Sequence, residues 1–143
     1  MKNFSERLKE LMNENDIEVA SIENFLELNN SSIIYDWING KSTPRLNTLI
    51  RLANMFEVST DYLLGLTENN EKVLSKQIPN FTSQLKRVLN EKRSSQYKLL
   101  KDKIVSRGHL NSWLNDNHTP SIENIVKIAD YLNVSVDYLI GRQ

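Results

Sequence analysis

The chain has 143 residues, no cysteine and a formal net charge of zero. Disulfide bonds and thiol chemistry are therefore excluded, and no apolar run approaches the ~20 residues that span a bilayer. The first residues form a polar amphipathic segment without the apolar region of a signal peptide. We expect a soluble protein of the cytoplasm.

The second half of the chain repeats the first half. Six residues of the first half recur 76 positions later. The pairs are Trp37 and Trp113, Pro44 and Pro120, Ala53 and Ala129, Asp61 and Asp137, Tyr62 and Tyr138, and Gly65 and Gly141. A repeat of this length is a whole small domain, longer than a solenoid unit. The sequence therefore predicts two domains, residues 1–65 and 81–143, joined by a linker of residues 66–80.

Apolar residues follow a helical period in both repeats. At the start of each repeat they stand at positions i, i+4, i+7 and i+8, which marks one face of a helix. These stripes are Phe4, Leu8, Leu11 and Met12, and then Phe81, Leu85, Val88 and Leu89. Asn3 and Asn80 precede the stripes and are suited to cap the free amides of the first turn. A second short helix follows, marked by Ile22 and Leu26 in one repeat and by Leu99 in the other.

Three further helices follow in each repeat. Trp37 and Trp113 lie on the third helix, and we predict that both indoles anchor the cores. Polar loops ending at proline separate the third helix from the fourth, because proline cannot continue a helix but can start one. The fifth helix has a serine N-cap and a glycine terminator, which are Ser59 and Gly65, and Ser135 and Gly141. No strand-like alternation of useful length occurs, so the predicted fold is all-α, with two tandem five-helix domains.

The neutral net charge conceals an asymmetry between the repeats. Residues 1–65 hold six basic and ten acidic residues, whereas residues 81–143 hold ten basic and six acidic residues. The first repeat is therefore anionic and the second cationic. Opposite charges on two similar domains indicate different partners for the two halves.

The five-helix pattern resembles the lambda-repressor-like Cro/CI-type helix-turn-helix domains, also called the XRE family of repressors. The second repeat is the closer match. Its residues 95–100 and 105–113 look like the second and third helices of that family, and residues 119–122 and 134–141 fit the last two helices. The resemblance implies double-stranded DNA as the partner, with the third helix in the major groove and the second helix across the backbone.

The same resemblance implies a set of DNA-binding residues in the second repeat. These are Gln96, Ser106, Arg107, Gly108, His109, Asn111, Asn115 and Asn117. Gln96 would contact a phosphate or a base edge, and Asn115 and Asn117 would hold phosphate. Arg107 can bind guanine O6 and N7, and Asn111 can bind adenine N6 and N7.

The first repeat departs from the family pattern. Phe4 and Trp37 are 33 residues apart, against 32 for Phe81 and Trp113, so we place one extra residue near the turn, within residues 28–36. The expected reading surface contains no cation and has carboxylates nearby. The candidate reading residues of this weaker surface are Asn30, Ser31, Ser32 and Tyr35, and Lys41 and Ser42 would hold the DNA backbone. Three uses stay open: binding a second copy of the chain, binding a basic protein, or binding DNA weakly as a second half-site.

The function that this sequence favours is sequence-specific binding of double-stranded DNA by a transcriptional regulator. The resemblance alone indicates a repressor of bacterial or phage type. We expect no enzyme, because no nucleophile elbow or phosphate-binding glycine loop occurs. We expect no cofactor, and His109 and His118 lack the spacing of a zinc pair.

Two alternatives remain open at the level of sequence. The chain can be a protein-binding module, an inhibitor or antirepressor, whose acidic first domain docks on a basic partner while the second domain serves autoregulation. It can also be an antitoxin, which would require a toxin as partner. The candidate partners are therefore DNA, a second copy in a homodimer, and a basic protein; no membrane is among them.

Overall fold

The structure is a computed structural model that describes residues 3–93 and 96–142, and within these ranges it is helical, with no β-strand. The chain divides into two compact units, Met1–Lys76 and Gln77–Gln143, called here the first and second domains. The first domain contains α1 (Phe4–Glu14), α2 (Val19–Leu26), α3 (Ser32–Ile38), α4 (Leu46–Phe56) and α5 (Thr60–Leu63). The second contains α6 (Phe81–Glu91), α7 (Gln96–Lys101), α8 (Arg107–Asn115), α9 (Ile122–Leu132) and α10 (Val136–Ile140). The predicted all-α fold with two five-helix domains is confirmed.

The core of each domain is built from the apolar stripes that the periodicity predicts. Leu8, Ile34 and Leu49 are fully buried in the first domain, as are Leu85 and Leu139 in the second. Both indoles are buried as well, with 3% of Trp37 and 4% of Trp113 exposed. The prediction that the tryptophans anchor the cores is therefore confirmed.

Side-chain caps begin the helices where the sequence predicts them. The Glu6 amide donates to Asn3 at 2.9 Å, and the Glu6 carboxylate accepts from the Asn3 amide at 3.4 Å, which completes a capping box. The amides of Tyr62 and Tyr138 donate to the hydroxyls of Ser59 and Ser135. These caps satisfy amides that the helices themselves leave without acceptors.

Different side chains hold the last helix at equivalent positions of the two domains. In the first domain, Nη1 of the fully buried Arg7 donates to the Tyr62 carbonyl at 3.0 Å, and the guanidinium lies 3.7 Å from the centre of the Tyr62 ring. In the second domain, Nε2 of Gln84 donates to the Tyr138 carbonyl at 2.9 Å. A buried charge needs a partner that a neutral amide does not need.

Glu10 on α1 lies 3.6 Å from Nε of Arg7, and a second carboxylate comes from residues 66–76, which lie along the first domain and form what we call the strap. Nη2 of Arg7 pairs with Glu68 at 3.0 Å. Further along, the Val73 amide donates to the Glu57 carbonyl at 3.0 Å, and the Lys76 ammonium donates to the Asn54 carbonyl at 2.7 Å. The strap thus differs from the linker assigned to residues 66–80, of which only residues 77–80 separate it from α6.

The extra residue of the first domain does not lie where the sequence analysis places it. Asp16 and Arg93 both have φ near 50° and stand 77 positions apart, whereas Glu27 and Lys103 both have φ of 57° and stand 76 apart. The extra residue therefore lies between Asp16 and Glu27, and its placement within residues 28–36 is wrong. The turn between the second and third helices has the same length in both domains.

Glu27 offers a test of this turn, because it holds a left-handed backbone conformation that a β-carbon disfavours. We expect Glu27→Gly to raise the free energy of unfolding by about 0.5–1 kcal/mol, the steric gain being partly offset by chain entropy. Urea denaturation measures the change. Asn133→Gly is the matched control: it has φ of 56°, but asparagine tolerates this conformation, so its gain should be smaller. Equal gains for both variants would contradict the steric explanation.

Candidate nucleic-acid interface

Helix α8 of the second domain exposes side chains that are predicted from the sequence to contact DNA. Arg107, Asn111 and Asn115 are exposed and stand four residues apart, so they form one stripe along the helix. Leu110 and Trp113 on the opposite side are buried. Packing of the inward side therefore fixes which side chains a ligand can meet.

Gly108 lies beside this stripe and is free of contacts within the domain. It is exposed, and a β-carbon built at this position would have no atom within 4 Å. Packing in the domain therefore gives no reason for glycine at the first turn of a helix, where it is unfavourable by roughly 0.5–1 kcal/mol relative to alanine. Close approach of a ligand surface is the usual reason for such a glycine.

The residues around the start of α8 are held by local contacts. The hydroxyl of Ser106 caps the helix by accepting from the His109 amide at 3.2 Å, so its oxygen has a structural role in addition to the predicted reading role. The His109 ring stacks on Trp113 with a centroid distance of 5.8 Å and an angle of 18° between planes. Ser106 and His109 remain exposed beside Arg107.

The predicted phosphate contacts lie at the two ends of the motif. Gln96 is exposed at the first residue of α7, and Asn115 is exposed at the last residue of α8. Asn117 is exposed in the following loop, where it has φ of 58°. Gln96 also lines a groove of about 540 Å³, together with Lys86, Leu89, Asn90, Arg93, Tyr97 and Leu114.

Sequence reasoning did not find the cations of this groove. Lys86 lies on α6 and Arg93 follows that helix, so neither belongs to the helix pair of the motif. The repeat offered a signal for one of them. Arg93 is equivalent to Asp16 of the first domain, so the charge is reversed at a position where the two backbones have the same conformation.

A hydrogen bond connects the turn of the motif to the following helix. The Tyr131 hydroxyl on α9 donates to Asp102 at 2.5 Å, which raises the pKa of Tyr131 above its usual value of 10.0. Because the folded-state pKa is raised, this bond stabilises the domain below about pH 10 and is lost as the pH rises through the higher value.

The first domain places its weaker candidates differently. Tyr35, Ser32 and Lys41 are exposed. The Ser31 hydroxyl donates to the Glu23 carboxylate, the Asn30 side chain accepts from the Ser32 amide at 2.9 Å, and Ser42 has a buried hydroxyl oxygen with no hydrogen-bond partner. Three of the six candidate side chains are thus engaged or buried within the domain itself.

The electrostatic contrast between the domains is concentrated between the middle of the first helix and the loop that follows the third helix. Residues 10–40 contain seven carboxylates and no lysine or arginine, whereas the equivalent residues 87–116 contain seven cations and three carboxylates. DNA binding requires neutralisation of phosphates by cations. The motif of the second domain meets this requirement and that of the first domain opposes it.

Comparison with known families agrees with this geometry. A helix-turn-helix family model matches residues 31–63 and 85–139, which is more than half of the chain. The chain belongs to this family, the Cro/CI-like XRE type of DNA-binding transcription regulator, and it carries the domain as a tandem repeat. No curated protein and no solved structure gives a significant match.

Neither a metal-binding cluster nor a membrane-spanning helix occurs in the part of the chain that the structure describes. Within residues 3–93 and 96–142, no group of three or more acidic, histidine or cysteine side chains is arranged to hold a metal ion. None of the helices in these ranges has the length and apolar character needed to cross a membrane.

The Ser106 cap can be tested with a matched serine. Ser106→Ala should lower the free energy of unfolding by about 1 kcal/mol, because the His109 amide loses its acceptor. Ser121→Ala on α9 removes a cap of the same 3.2 Å length and should have the same effect on stability. Only Ser106→Ala should also weaken DNA binding, measured by fluorescence anisotropy. Equal DNA affinities for the two variants would show that Ser106 does not belong to the interface.

Proposed function

We propose that the chain is a sequence-specific repressor of bacterial or phage type, acting in the cytoplasm, which reads the major groove of double-stranded DNA with α8. The observation that carries this proposal is the exposed stripe of Arg107, Asn111 and Asn115 beside Gly108, on a helix within a cationic motif. Repression rests on the resemblance to Cro/CI-type repressors; a domain seated in the major groove of a promoter would exclude polymerase from that site.

Each nominated side chain has a role that its chemistry supports. Arg107 presents two parallel donors to guanine O6 and N7, and Asn111 presents one donor and one acceptor to adenine. Gln96, Asn115 and Asn117 bind phosphates and so fix the position of α8 without carrying sequence information. Gly108 lets the helix backbone approach the base edges closely.

One reading helix covers one half-site, so a specific operator requires a second contact. Two domains on the same face of B-DNA read half-sites about 34–36 Å apart, one helical turn. A second copy of the second domain supplies an identical half-site, and the first domain would supply a different one. The sequence of the operator therefore reports which domains read it.

Selection of random duplex DNA on the intact protein at near-physiological salt tests the proposal. We expect enrichment of two half-sites about ten base pairs apart. Absence of any enriched sequence would contradict sequence-specific binding and would favour a protein-binding module that retains the helix-turn-helix fold.

Repeating the selection with Arg107→Ala tests the assignment of the reading residue. This variant should lose about 1–3 kcal/mol of binding free energy and its preference at one base pair, because the bidentate contact to guanine is lost. Lys127→Ala on α9, also an exposed cation, is the control and should keep the wild-type preference. An unchanged sequence preference for Arg107→Ala would show that another residue reads the base.

The division of labour between the domains is tested with fragments cut after the strap. Residues 77–143 should retain salt-sensitive DNA binding, and residues 1–76 should bind at least about tenfold more weakly because carboxylates dominate their motif. Titration of labelled duplex at two salt concentrations measures both affinities. Similar affinities for the two fragments would contradict the electrostatic argument.

A further inference from the structure

Both domains contain a groove at the corner between their first two helices. In the first domain its volume is about 390 Å³, and it is bounded by the end of α1, the loop of residues 15–18 and the last residue of α3. The lining residues are Lys9, Met12, Asn13, Asp16, Ile17, Glu18 and Ile38. It is the structural equivalent of the groove that Gln96 lines in the second domain.

The two grooves share their framework and differ in charge. Lys9, Met12, Asn13 and Ile38 correspond by repeat position to Lys86, Leu89, Asn90 and Leu114, which line the second groove. At the remaining shared position Asp16 replaces Arg93, with φ of 52° and 51°. Among the described lining residues, the second groove has two cations and no carboxylate, whereas the first has Lys9 and two carboxylates.

The first groove has the chemistry of a site for a cationic side chain. Met12, Ile17 and Ile38 are half-buried and form an apolar floor, and Asp16 and Glu18 are exposed at its rim. Glu18 is the N-cap residue of α2, yet its side chain makes no capping hydrogen bond. An arginine or lysine can lay its methylene groups on such a floor while its charged end meets the carboxylates. A phosphate is repelled from the same place.

We propose that this groove binds an arginine or lysine side chain from the cationic DNA-reading surface of a second copy of the chain. The proposal rests on the proposed function, because the surface that supplies this side chain is the surface of the second domain that binds DNA in the proposed function. Complementary charge selects this occupant: residues 10–40 lack any cation and hold seven carboxylates, and residues 87–116 of another copy hold seven cations. Every molecule carries both surfaces, so the partner is always present at the same concentration.

Association of this kind competes with DNA, because it occupies the same cations. At low protein concentration the reading surface is free for an operator, and at high concentration other copies cover it. The first domain would then limit the occupancy of DNA by the second, a form of regulation that needs no small ligand. Electrostatic association also predicts strong weakening by salt.

The test compares two full-length double variants with the same change in net charge. Asp16→Asn with Glu18→Gln removes the carboxylates of the groove. Glu71→Gln with Asp130→Asn removes two exposed carboxylates elsewhere. Asparagine tolerates the left-handed conformation at position 16, and both replaced side chains are exposed, so the fold is expected to be kept; thermal unfolding by circular dichroism checks this.

Sedimentation velocity of the purified proteins provides the first readout. At about 50 mM salt the wild type and the control pair should self-associate, and about 300 mM salt should dissociate them. The groove variant should associate about five- to tenfold more weakly, as expected for loss of two exposed charge pairs. The proposal would be overturned if the groove variant associated as strongly as wild type, or if the wild type were monomeric at low salt.

Binding to a selected operator duplex provides the second readout and separates this proposal from the proposed function. The groove variant should reach half occupancy of the operator at a lower total protein concentration than wild type, because less of its reading surface is covered by other copies. Loss of one protected half-site in the groove variant would instead show that the first domain reads DNA, and the proposal would be wrong. Groove-dependent association without any specific operator would leave the groove site supported while the proposed function fails.

Discussion

The inward packing of the third helix in each domain is the constraint on which the remaining structure depends. Trp113 and Leu110 are buried, and the carbonyl of Trp113 accepts from the Thr82 hydroxyl on α6 at 2.5 Å. In the first domain the Ser5 hydroxyl donates to the Ile38 carbonyl at the same distance. Because a helix has 3.6 residues per turn, fixing one face fixes the other, and the surface offered to DNA follows from how the core is filled.

Local patterns in the sequence predict most of this fold. Helical periodicity identifies the buried stripes, and the serine caps and glycine terminators mark the fifth helices, because these signals act over a few residues. The contacts of the strap were not predicted because they are long-range: Arg7 and Glu68 are 61 residues apart. Nothing in the composition of residues 66–76 shows that one of their carboxylates pairs with a buried arginine.

Part of the candidate site was predictable because helical spacing is a local signal. Exposure of Arg107, Asn111 and Asn115 follows from helical spacing once Trp113 is assigned to the core. The grooves were not predictable, since they join residues of three elements, and only the structure shows that Asp16 and Arg93 stand at matching places. The extra residue of the first domain was misplaced because the left-handed positions of the turn are held by Glu27 and Lys103, and no glycine in the sequence reveals them.

The exchange of Arg7 for Gln84 at one position of the repeat has a consequence for how the gene for this chain can change. Recombination between the two repeats would join α1 of the first domain to the remainder of the second. The product would retain a guanidinium suited to the interior but would lose Thr67 and Glu68, which accept from it only in the present order of segments. Such a hybrid would bury the guanidinium with fewer acceptors than it has here, so we expect it to fold less stably than the present first domain.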